Sequence, residues 1–176
     1  MDKEIMYFNQ CDPRWGGEDY SARGEKTTIC ESGCAPTAMA MAITALKGKI
    51  VLPPELAKWS LKNGYKAYRQ GTYYAFFKAC GAIYGVRAEQ LNYRNLRKYN
   101  DEKVHQRAID CLSKGALLIC CMGRGLWTRS GHFILVYGIW GGEVLIKDPA
   151  SRARSRSLGD YERFKREVKY YFSISC

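Results

Sequence analysis

The sequence predicts an α+β domain in which a helical first half, built around one buried helix, packs on an antiparallel sheet supplied by the second half. Three observations lead there. The stretch Cys34 to Lys47 is rich in Ala and Met and apolar around almost its whole circumference. Helix-like segments recur up to about Ser113, and from Ala116 onward short apolar runs alternate with glycine-rich turns. At 176 residues the chain is long enough for one compact core and short for two, so residues 1–176 are read as a single domain.

The first element follows an irregular start containing Asp12-Pro13 and Gly16-Gly17. From Cys34 the helix carries Pro36 in its first turn, where proline is tolerated, and Gly48 stops it. Only Thr37 and Thr44 break its apolar surface, which predicts a central, buried helix. Pro54 opens a second helix through Leu61, Gly71 to Cys80 reads as a third, and Asp101 to Ser113 as a fourth with Val104, Ala108, Cys111 and Leu112 on one face. Strands are predicted over 116–122, 132–140, 144–148 and 168–175. The sequence contains no internal repeat.

No apolar run is long enough to span a bilayer, and the amino terminus lacks an apolar stretch behind a basic one, so a cytoplasmic chain without a membrane span is expected. The eight cysteines fall at irregular spacings in mostly apolar surroundings, which predicts reduced, buried thiols. They do not combine with the two histidines at metal-ligand spacings, so neither a metal nor another cofactor is expected. The net charge of +11 is concentrated in the 147–169 segment, around Ser151-Arg-Ala-Arg-Ser-Arg-Ser157. A solvated basic face accounts for it, and an anionic partner is the alternative; without a base-reading motif, nucleic acid is not expected.

Chemistry enters at Cys34. A helix amino terminus stabilises a thiolate through unpaired backbone N–H groups and the positive end of the dipole, and Ser32-Gly33 supplies a cap candidate and a residue that leaves room for a substrate. A thiolate nucleophile needs an imidazole to move protons. His105 lies in the charged run Asp101 to Arg107, where a surface role is expected; His132 opens an apolar strand directly after a polar loop and is the candidate base. Asp148, just before Pro149, is the candidate to orient the imidazole, although an Asp-Pro pair also simply forms turns.

Register decides whether Asp148 can reach. A two-residue hairpin at Gly141-Gly142 would point Asp148 to the face opposite His132. A three-residue loop Trp140-Gly141-Gly142, or an equivalent bulge, pairs Asp148 with Ile134 and makes it a same-face diagonal neighbour of His132; that arrangement is the expectation. Gln10, close in the chain to the start of the central helix, is the candidate side-chain donor to an oxyanion, beside the backbone N–H of Cys34.

Four segments, Asn9-Gln-Cys-Asp-Pro-Arg-Trp15, Thr28-Ile-Cys-Glu-Ser-Gly-Cys-Ala-Pro-Thr-Ala-Met39, Gly131-His-Phe-Ile-Leu-Val-Tyr-Gly138 and Ile146-Lys-Asp-Pro-Ala150, together resemble the bacteriocin-processing-like branch of the papain-like cysteine peptidases. The resemblance runs from Tyr7 to about Ser151. It implies a papain-like fold, a peptide or protein substrate, a nucleophile at Cys34, a base at His132, an orienting acid at Asp148 and an oxyanion glutamine at Gln10. Relatives fused to export transporters remove leader peptides after double glycine; with no transporter segment here, that substrate does not carry over. Two other readings share the fold: an amidase or endopeptidase acting on peptidoglycan, and a non-catalytic peptide-binding protein.

Overall fold

The structure, a computed structural model, describes residues 4–156 and 159–176. Of the basic run noted above, Ser157 lies outside the described residues. The expected α+β architecture is present: seven helices and a six-stranded antiparallel sheet among the described residues.

A single turn, α1 (Ile29–Ser32), leads through Gly33 into α2 (Cys34–Lys47). Residues Ala35 to Thr44 of α2 are all buried, as an apolar circumference requires, and Gly48, at φ 68°, closes the helix by donating its N–H to the Thr44 carbonyl. The two threonines reach the interior as well; Thr44 exchanges hydrogen bonds with the backbone of Val51 and ties down the chain entering α3 (Pro53–Lys62). Gly33 is needed for a different reason from the one expected. A Cβ there would sit 2.5 Å from the Ile29 carbonyl oxygen, so glycine lets two helical turns abut.

Helix α4 (Ala75–Tyr84) starts later than the periodicity suggests, because residues 66–72 form a tight loop. Strand β1 (Arg87–Gln90), absent from the sequence reading, follows and pairs with the last strand. After α5 (Glu102–Ser113), capped by the Asp101 side chain, come β2 (Leu117–Met122), β3 (His132–Trp140) and β4 (Glu143–Lys147). The chain ends with α6 (Arg152–Arg156), β5 (Gly159–Asp160), α7 (Tyr161–Glu167) and β6 (Val168–Ser175). The sheet order is β1-β6-β2-β3-β4-β5.

Both faces of the sheet are covered, so the helical half is not one layer. Leu117, Ile119, Phe133, Leu135 and Phe172 pack against α2 and α4, whereas Leu118, Ile134, Val136, Ile146 and Tyr171 form a second core with α5 and α7. This explains why every residue of β2 is buried. It also corrects His105. The residue is 1 % exposed, and its Nδ1 is hydrogen-bonded to the Tyr171 hydroxyl at 2.7 Å, because position 105 is one turn from Ala108 on the face that meets the sheet.

The β3–β4 hairpin resolves the register question by the equivalent bulge and not by the three-residue loop. The loop is the two-residue Gly141-Gly142, both with positive φ, as a type I′ turn demands. The extra residue sits instead at Tyr137, where the register slips between Val136 and Gly138; Leu135 then pairs with Lys147, and the register extends to place Asp148 opposite Ile134.

A second correction concerns the cysteines. Cys11 and Cys30 form a disulfide, and the other six thiols are free. The segment from Asn9 to Glu18 folds back onto α1 through Cys30 N–H to Gly16 O (3.0 Å) and Ile29 N–H to Glu18 O (3.0 Å), which brings the two Cα atoms to 4.2 Å. Irregular spacing gave no hint of that return. The cysteines are nineteen positions apart, so closing the loop should stabilise the fold by ~3 kcal/mol. Thermal unfolding with and without a phosphine reductant measures it. A reductant-dependent drop in midpoint that Cys11→Ser removes is expected, and identical midpoints would rule it out.

Candidate active site

Cys34 occupies the first position of α2, at the mouth of a cleft between the helical layer and the carboxyl-terminal half of the sheet. Backbone N–H groups of Ala35 and Phe133 and the ring of His132 all act on its sulfur. Burial alone would raise the thiol; the His132 hydrogen bond and charge and these backbone donors outweigh it and hold the pKa below the ordinary value of 9.0.

His132 is the first residue of β3, paired with Met122. Its Nε2 lies 2.7 Å from Asp148 Oδ1, which leaves Nδ1 for Cys34. Burial opposes its protonation, but the hydrogen bonds to Asp148 and Cys34 prevail and raise the pKa well above the usual 6.5. The opposed shifts favour a thiolate beside an imidazolium.

Asp148 is fully buried. Its Oδ1 also accepts from the Ala150 N–H at 2.8 Å, and its Oδ2 accepts from Arg154 Nε at 2.9 Å. Burial would raise this carboxyl; His132, the Ala150 N–H and the Arg154 charge keep it below the usual carboxylate range. The Asp148 backbone is fixed just as firmly, with its N–H donating to Ser155 Oγ (2.6 Å) and its carbonyl accepting from the Tyr7 hydroxyl (2.7 Å).

Gln10 belongs to the amino-terminal strap that Tyr7 helps to anchor. Its N–H donates to the Pro149 carbonyl at 2.8 Å, and its Nε2 donates to the Cys30 carbonyl at 2.7 Å. The residues between the strap and α1 fold back on themselves: Tyr20 is buried, with its hydroxyl bonded to Ser60 and Thr72, and Asp19 bridges to Thr28. Gln10 consequently lines the same cavity as Cys34 and His132, with Oε1 buried and unpartnered among the described residues.

Sequence reasoning missed Tyr7, Ser155 and Arg154. Arg154 was submerged in a run of arginines read as a solvated face. Its one distinguishing signal is Ser151, whose hydroxyl accepts the Arg154 N–H and starts the helical turn after Asp148-Pro149. Other charges of that basic segment are also engaged internally: Arg163 pairs with Glu167, Lys165 with Glu102 and Glu162, and Arg152 lies over the Tyr7 ring. No helix among the described residues is long and apolar enough to cross a membrane.

Comparison with known proteins gives a family and a fold. The model of the Peptidase_C39 like family matches residues 3–176. No curated protein sequence matches the chain. Among solved structures, the peptidase domain of Streptococcus ComA, a bi-functional ABC transporter involved in quorum sensing, aligns with TM-score 0.60 at 18 % identity, covering 81 % of this chain and 90 % of its own. A double glycine motif protease from an AMS/PCAT transporter, solved in complex with its leader peptide, aligns with TM-score 0.57 at 17 % identity over 99 % of this chain and 94 % of its own. At these identities the likeness is one of fold.

Proposed function

The chain belongs to the Peptidase_C39 like family, and on that premise we propose that it is a cysteine peptidase in which Cys34, His132 and Asp148 act together over one domain spanning residues 1–176. The observation that carries the reading is the placement of one imidazole between a helix-terminal thiol and a buried, ionised carboxylate.

The Cys34 sulfur attacks the peptide carbonyl carbon, and the negative oxygen that forms is met by the Cys34 N–H and by Gln10 Nε2, whose second hydrogen is not used by the Cys30 carbonyl. His132 gives its proton to the departing amine as the C–N bond breaks, leaving a thioester. Water, deprotonated by His132, then attacks the thioester; the C–S bond breaks and the thiolate returns. A peptide substrate also suits the leader-peptide complex of the structural neighbour. The internal pairing of the basic segment weighs against a surface specialised for an anionic polymer.

Cleavage profiling on a peptide library tests the proposal, and its pH dependence tests the ion pair. The Cys34 pKa is lowered, so activity should already be present well below the ordinary thiol value. The His132 pKa is raised, so activity should fall only once the imidazolium loses its proton, well above 6.5. A broad bell in kcat/KM through neutral pH is the expected result. A single rise centred near 9 would sink the ion pair.

A further inference from the structure

The cleft beside Cys34 is electrostatically one-sided. Its main cavity, about 550 Å³, is lined by Arg69 and Lys169 together with Tyr73, Tyr74 and Phe133, and by no Asp or Glu among the described residues. The adjoining cavity on the Gln10 side, about 430 Å³, is mixed in sign, with Glu25 and Glu31 beside Lys66 and Arg69. The two cationic heads come from different parts of the chain, one from the loop between α3 and α4 and the other from β6. Neither has an ion-pair partner among the described residues, although most other charges near the site do.

Arg69 is held in place by construction. It is the one described non-glycine residue with positive φ, 52°, a conformation that needs support from its surroundings. That support is Glu25, whose Oε2 accepts the Arg69 N–H at 2.6 Å while its Oε1 pairs with the buried Lys66 ammonium at 2.7 Å. Lys66 in turn donates to the carbonyls of Ala67 (2.8 Å) and Gln70 (2.5 Å), so the loop is clamped at both ends around Arg69. Glu25 is thereby committed to the loop, while Arg69 lines the cleft with its guanidinium over the Tyr68 ring, 5.2 Å from the centroid. Lys169 reaches the same cavity past Gly131, with Nζ 3.8 Å from where a Cβ on that glycine would lie. His132, the next residue, adds positive charge when protonated.

We propose that this side of the cleft is a subsite for an acidic side chain of the substrate peptide, close to the scissile bond and held between Arg69 and Lys169. The inference rests on Cys34 being the nucleophile of a peptidase. A carboxylate placed there meets two cations and the aromatic walls and no acid among the described residues, whereas the Gln10 side sets carboxylates against its cations.

The test uses quenched fluorogenic peptides in which Glu or its isostere Gln is placed at each of four positions on either side of the cleaved bond. At low salt one position should prefer Glu by roughly tenfold in kcat/KM, the sum of two partly exposed ion pairs. High salt should bring that ratio towards one. Arg69→Gln and Lys169→Gln should each cut the Glu/Gln ratio about threefold, and Arg69→Glu combined with Lys169→Glu should make a Lys peptide the preferred substrate. Cleavage with a ratio near one at every position overturns the subsite and leaves the peptidase reading intact. If the wild type cleaves nothing, retention of the same peptides by the Cys34→Ala protein decides. An Arg69-dependent preference for Glu then upholds the subsite while the peptidase reading falls, and equal retention overturns the subsite.

Discussion

Cys34→Ala should lower kcat by roughly 10⁶-fold without unfolding the protein. The sulfur is the atom on which the two pKa shifts converge, and without it His132 has no nucleophile to activate. The substitution removes one atom at a partly exposed helix start and introduces a good helix former, so the unfolding midpoint should hardly move. Labelling by an electrophilic peptide probe at low concentration, read by mass spectrometry, supplies the second measurement. The wild type should be modified at Cys34 alone. Cys176, though exposed, has its thiol directed to the Leu46 carbonyl at 3.4 Å, and burial raises the Cys80 and Cys120 thiols. Probe labelling that persists in Cys34→Ala would mean that another cysteine is the nucleophile.

The second large effect is expected at Asp148. Asp148→Asn should reduce kcat by roughly 10³- to 10⁴-fold, because a neutral amide neither stabilises the imidazolium nor fixes the ring with Nδ1 towards the sulfur. Without the carboxylate the His132 pKa falls, so the alkaline limb of the pH profile should move to lower pH in the same variant. Stability should drop too, by about 1–3 kcal/mol. The buried carboxylate accepts from three groups, His132, Ala150 N–H and Arg154, and an amide nitrogen in one of those positions faces a donor with another donor. A folded Asp148→Asn protein within tenfold of wild-type kcat would remove Asp148 from the mechanism.

The sequence carried the central helix and the strands around it because their burial is written locally. The apolar circumference of Cys34 to Lys47 admits only a buried helix, and Gly48 marks its end by the one backbone conformation that glycine adopts freely. Helix α5 shows where that logic stops. Its apolar stripe was legible, but which face of the sheet it would meet was not, and so His105 was placed at the surface when it packs on Tyr171. Helices α6 and α7 and strands β1 and β5 are short, and their stability comes from the neighbours they lean on rather than from their own pattern.

For the site itself, the sequence alone offered Cys34 and His132 as candidates, since a helix start and a strand start are local features. It also posed the register problem that Asp148 must solve, without fixing the answer. Only the tertiary structure decided that the hairpin turns on two glycines and that the slip falls at Tyr137, because a one-residue shift can be absorbed anywhere along a strand pair at similar cost. Only the tertiary structure, too, turned Arg154 inward to Asp148, joined Cys11 to Cys30, and brought Arg69 and Lys169 to one cleft without an ion-pair partner among the described residues. Those contacts join residues far apart in the chain, and the energy that selects them depends on what else is buried beside them, which no local pattern encodes.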